Sequence, residues 1–65
     1  MDATEITGRM EEAAQAEESG QYDQAISLYD QLGKDIQVRV GRHDPRAIDA
    51  FEGMARSIHK STRNA

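Results

Sequence analysis

The stretch Gly20-Gln21-Tyr22-Asp23-Gln24-Ala25-Ile26-Ser27-Leu28-Tyr29 constrains the fold of this chain more than any other. Gly20 offers a stop for a preceding helix, because a residue without Cβ enters the left-handed backbone region at no steric cost. Tyr22, Ala25, Ile26 and Tyr29 then recur three and four residues apart, the spacing that gathers side chains on one face of a new helix. A second break lies between Gly41 and Pro45. There Asp44 can cap free amides, Pro45 suits a first helical position, and Gly41 can close the helix before it. The two breaks leave three helical segments and no strand candidate, so the expected fold class is all-α.

The first segment is expected from Asp2 to about Ser19, since Asp2 and Glu5 have capping-box spacing. Its apolar positions, Ala3, Ile6, Met10, Ala13 and Ala14, form a thin stripe, and Gly8 inside it costs about 0.8–1 kcal/mol relative to Ala. The second runs from about Asp23 to Val40, with Ala25, Ile26, Tyr29, Leu32, Ile36 and Val40 on one face. The periodicity continues across Gly33, which predicts an unbroken helix with a close crossing there. The third runs from Pro45 to about Lys60, with an apolar stripe of Ile48, Phe51, Met54, Ala55 and Ile58. Residues 1–60 are thus expected to form a single domain and residues 61–65 a disordered tail.

A chain of 65 residues has a small core of its own, burying only about 60% of its unfolded surface. It contains no Cys, which excludes a disulfide framework and a thiolate zinc site. No apolar run approaches the roughly 20 residues that span a bilayer, and the acidic start lacks the order of a signal peptide. A soluble cytoplasmic protein without membrane attachment is the expectation. Arg outnumbers Lys six to two, which is compatible with a GC-rich bacterial genome.

The net charge of −4 conceals two unlike halves. Up to Leu32, eight acids face the single base Arg9, leaving −7. From Gly33 onward, seven bases face four acids, leaving +3. Opposite halves attract, which favours packing of the first helix beside the last and antiparallel or head-to-tail association between molecules; the alternative is that these are solvated charges on exposed helix faces.

The run from Gly20 to Tyr29 resembles the second half of a tetratricopeptide repeat, where Gly-x-Tyr-x-x-Ala-x-x-x-Tyr/Phe marks the step from helix A to helix B. Gly20, Tyr22, Ala25 and Tyr29 match those positions, with Leu32 where the family often has Ala. The long second helix and the loop Val40-Gly41-Arg42-His43-Asp44-Pro45 resemble the kinesin-light-chain variant, with about 42 residues per repeat, although the order His43-Asp44 differs from the family's. Met54-Ala55 then falls on the Leu-Gly/Ala site, and Ala13 lies one such repeat earlier. The first helix departs, with Arg9 and Glu12 where large apolar residues belong. The three-helix microtubule-interacting-and-trafficking domain shows a similar Gly-x-Tyr-x-x-Ala-x-x-x-Tyr run and is the second resemblance.

The first resemblance implies an array of helix A, helix B and a following helix A, about one and a half repeats, whose function is binding. A unit of this kind does not bury its apolar face alone, which implies self-association or docking onto a larger protein. Leu28 and Val38, off the main stripe, are the candidates for a self-association face. The concave surface implied by the register takes Met10, Glu17 and Glu18 from the first helix, with Thr7 and Ala14, and Glu52, Arg56, His59 and Lys60 from the third, with Asp49. Such a groove suits a peptide or helix bearing both charges; the alternative is that Glu17 or Glu18 simply pairs with Lys60.

Chemistry is sparse. His43 and His59 lack metal-ligand spacing, so no metal or cofactor is expected. The pairs Glu11-Glu12 and Glu17-Glu18 point to different sides of a helix, and no Gly-rich phosphate loop is present, so an enzyme is not expected. A small DNA-binding regulator is a rival reading, given Arg39, Arg42, Arg46, Arg56, Lys60 and Arg63, but the acidic first helix repels phosphate. An accessory subunit of an enzyme complex is the other.

Overall fold

The computed structural model describes residues 1–63 and holds three α-helices, α1 (Ala3–Glu18), α2 (Tyr22–Arg39) and α3 (Pro45–Arg63). No strand occurs among the described residues. The expected all-α class and helix order stand.

Each boundary has a local cause. Asp2, in extended backbone, accepts the Glu5 amide on its carboxylate at 2.8 Å and starts α1. At the other end Gly20 adopts φ +79°, its amide bonding to the Glu17 carbonyl and that of Gln21 to the Ala16 carbonyl. This pair of bonds is the Schellman closure that a glycine at this position permits. α2 stops without left-handed backbone, the Gly41 amide reaching the Ile36 carbonyl at 3.0 Å. Asp44 Oδ1 then accepts the Arg46 amide at 2.9 Å and caps α3.

α2 is the central element. It packs along both neighbours, whereas α1 and α3 touch each other little, so the molecule is an open array of 35 × 19 × 14 Å. The α2–α3 crossing is a reciprocal exchange. The Phe51 ring of α3 lies over Gly33 of α2, and the Tyr29 ring of α2 lies over Gly53 of α3. A methyl group at position 33 would come within 2.7 Å of Phe51, and one at position 53 within 2.5 Å of Tyr29. The backbones therefore approach closely, and α2 runs straight through Gly33.

The close approach decides what the core is made of. Ile6, Ala13, Ala16, Ala25, Tyr29, Leu32, Ile36, Ala47 and Ala50 are buried, with Met1, Met10, Leu28 and Met54 partly buried against them. Five of these nine buried residues are alanines, which contribute less than the roughly 1.5–3 kcal/mol of a large aliphatic side chain. Stability is accordingly concentrated in Tyr29, Leu32 and Ile36.

α3 differs from its sequence-based reading. Its buried positions are Ala47, Ala50, Gly53 and Ser57, whereas Ile48 is 53% and Ile58 45% exposed, Ala55 is exposed, and Phe51 and Met54 are half-buried. Only small side chains fit where Tyr29 occupies the interhelical space. The expected apolar stripe is thus rotated toward one flank. In α1, Ala16 and Glu17 replace Ala3 and Ala14 at the interface, and Val40, expected on the apolar face of the second helix, is the exposed residue just after α2. The expected tail is shorter as well: Ser61 to Arg63 are helical, Thr62 Oγ1 donating to the Ile58 carbonyl at 3.0 Å, with Lys60 and Arg63 favourably placed at the helix C-terminus. Asn64 and Ala65, the rest of that tail, lie outside the described residues.

Candidate functional site

A polar constellation centred on Glu17, which is only 6% exposed, joins all three helices. Glu17 is placed in the last turn of α1 by the Gly20 closure, Tyr29 by the buried face of α2, and Arg56 and Lys60 by the side of α3 nearest α1. Tyr29 Oη donates to Glu17 Oε1 at 3.0 Å. Arg56 straddles the carboxylate, with Nε 2.6 Å from Oε2 and Nη2 3.0 Å from Oε1. Lys60 Nζ adds a contact to Oε2 at 2.7 Å.

The electrostatics follow from that geometry. The Arg56 guanidinium is the main cause holding the Glu17 carboxyl at about 2, against an ordinary 4.5. Burial opposes it, and Lys60 and Tyr29 reinforce it. Burial, then the ionised Glu17, push the Tyr29 phenol above its ordinary value. Arg56 is raised by its bond to Glu17. Both acids are therefore fixed in the state they hold at neutral pH, the carboxyl ionised and the phenol protonated. Such a cluster holds the three helices together.

Of the residues assigned to a mixed-charge groove, the fold brings together Glu17, Arg56 and Lys60; Glu17 pairs with Lys60, as in the simpler alternative, and with Arg56 besides. Met10 is partly buried against the core. Glu18, Glu52 and His59 are exposed and make no ion pair or side-chain hydrogen bond with another described residue. Leu28 is partly buried against the core, and Val38 is 85% exposed. The surface depressions, one lined by Gly20, Gln21, Tyr22, Asp23, Gln24 and Ser61, are shallow and open. No group of three or more potential metal ligands occurs among the described residues, and no helix is long and apolar enough to cross a membrane.

Two features escaped the sequence reading. Arg9, the departure from the repeat pattern, bonds Asp35 of α2 at 2.9 Å and ties the N-terminal half of α1 to its neighbour. The other is the flank of α3 carrying Ile48, Ala55 and Ile58, open to solvent with Phe51 half-buried at its edge. The signal for it was present: Gly53 and Ser57 among larger neighbours mark a small-residue side that differs from the apolar one. No protein-family model matches the chain, and no curated protein or solved structure does so either.

Proposed function

We propose that this chain is a non-enzymatic protein–protein interaction module that presents the open flank of α3 to another polypeptide. The observation that carries the reading is the exposure of Ile48 and Ile58 on a helix whose core side is filled by alanine, glycine and serine. Contiguous exposed apolar side chains mark association surfaces. The helical hairpin closed at Gly20, with Ala25 fully buried at its crossing, supports the resemblance to a tetratricopeptide repeat. Under that resemblance α3 stands as a following helix A, a unit that needs a neighbour.

The DNA-binding reading has less behind it. Arg46 is held by Asp44, and Arg56 and Lys60 by Glu17, so three of the six cations it relied on are already engaged. A catalytic reading gains nothing from the depressions at Gly20–Gln24, at Glu12–Ser19 and at Ala3–Glu11, which are open to solvent. A cytoplasmic location is part of the same reading: no helix is long and apolar enough to cross a membrane, and the absence of Cys is compatible with a reducing compartment.

The test is photo-crosslinking in cells with an activatable residue at position 48, compared with position 37, an exposed site elsewhere on the molecule. The reading requires a discrete product, whether with a second copy or with another protein, at position 48 and not at position 37. No product, or the same products at both, would remove it.

A further inference from the structure

We propose that Glu17 selects the rotation of α1 on α2, and that an apolar side chain in its place turns the helix onto a second face. The inference lies outside the α3 flank and is independent of the interaction-module reading. α1 carries two sets of residues that can pack. One is the apolar stripe Ala3, Ile6, Met10, Ala13 and Ala14; the other is the buried set Ile6, Ala13, Ala16 and Glu17. At about 100° per residue, the centres of the two sets lie roughly 50° apart around the helix axis. Ile6 and Ala13 belong to both, so the aliphatic contacts do not choose between them.

The carboxylate makes the choice. Glu17 falls within about 10° of the centre of the apolar stripe, so turning that stripe squarely to α2 would drive the charge into an alanine-lined seam. A buried ionised carboxylate without partners is prohibitive there. In the structure α1 is turned the other way, which leaves Ala16 6% exposed at the interface, Ala3 exposed and Ala14 half-buried. Glu17 then stands where Tyr29 Oη, Arg56 and Lys60 reach it from the two other helices. Fixing one arrangement among several that pack alike is an attested role of buried polar groups.

The partners of Glu17 tolerate its loss. The Arg56 and Lys60 side chains are 53% and 41% exposed, so water takes the place of the carboxylate. The Tyr29 hydroxyl keeps Arg56 Nη2 at 3.5 Å. With Met at position 17 the apolar stripe is continuous through the last turn of α1, and Ala3, Met10 and Ala14 follow it toward α2.

The test uses the full chain and the methyl groups of Ala3, Ala14 and Ala16, read by NMR with a soluble paramagnetic agent. In wild type Ala3 should broaden strongly and Ala16 stay sharp, with Ala14 between them. In Glu17→Met the order should reverse, Ala16 broadening while Ala3 and Ala14 become protected, and circular dichroism should stay helical. Glu17→Gln remains polar and should keep the wild-type order. Glu17→Ala should reverse it as Met does, and decides the matter where Glu17→Met does not fold. The wild-type order in either apolar variant would hand control of the rotation to the Arg9–Asp35 pair and the Gly20 turn, and overturns the proposal. So does a reversed order in Glu17→Gln. Loss of the fold in both apolar variants overturns it as well, since α1 then has no second face to turn to.

Discussion

Tyr29 joins two unrelated contacts: its hydroxyl donates to the buried Glu17 of α1, and the ring that carries that hydroxyl fills the space left by Gly53 of α3. One side chain thereby sets the position of both outer helices on α2. The rest of the α1–α3 link, Arg56 and Lys60 on Glu17, depends on it geometrically.

Acid should loosen this arrangement. Glu17 and Asp44 are both held at about 2, below ordinary values of 4.5 and 3.8, by Arg56 and Arg46 respectively. A carboxyl depressed in the folded state stabilises above its unfolded value and loses that contribution as pH falls toward the folded one. The melting temperature is expected to be flat from pH 7 to about 5 and to fall progressively between about 4.5 and 2. Glu17→Gln should make the fall shallower. An identical slope in that variant would show that Glu17 is not the group being titrated.

Two glycine substitutions should act in opposite directions. Gly8 lies inside α1 with nothing within 4 Å of an added methyl, so Gly8→Ala should stabilise by about 0.8–1 kcal/mol. Gly53→Ala gains the same propensity but drives a methyl to 2.5 Å from the Tyr29 ring. Overpacking of this kind costs about 1–3 kcal/mol, so the variant should melt lower. Chemical denaturation of the pair, with wild type between them, is the check.

The helix crossing at Ala25 gives a third. Ala25 is fully buried, and Ala25→Leu should cost about 1–3 kcal/mol in the same assay. An unchanged midpoint would place it outside the contact.

What the sequence disclosed and what it withheld divide along a physical line. Helix number, the Gly20 closure, the Asp2 and Asp44 caps and the burial of Ala25, Tyr29, Leu32 and Ile36 depend on local chemistry and periodicity, and they were legible. The orientation of α3 was not. Its apolar periodicity points to Ile48, Phe51 and Ile58, but the side facing α2 is chosen by two glycines that admit aromatic rings from the other helix, a pairing made only in three dimensions. Glu17 was assigned to a concave face with Lys60 as an alternative partner, but its burial was not legible. Its burial is set by Tyr29, Arg56 and Lys60, which lie 12, 39 and 43 residues away along the chain.

The location of self-association separates two surfaces. Leu28 and Val38 are the off-stripe apolar residues of α2, yet Leu28 already contacts the core and Val38 is isolated at 85% exposure. Photo-crosslinking from position 38 should give no discrete product, whereas position 58 should give the product seen from position 48. The reverse result would move the interface from α3 to α2.

The most direct test of the account is the solvent accessibility of five isoleucine methyl groups, read by NMR with a soluble paramagnetic agent across a dilution series. At the lowest concentration Ile48 and Ile58 should broaden as surface groups while Ile6 and Ile36 remain sharp, with Ile26 between them. Protection of both at the lowest concentration, equal to that of Ile36, would mean that α3 turns its apolar stripe into the core and would contradict the account.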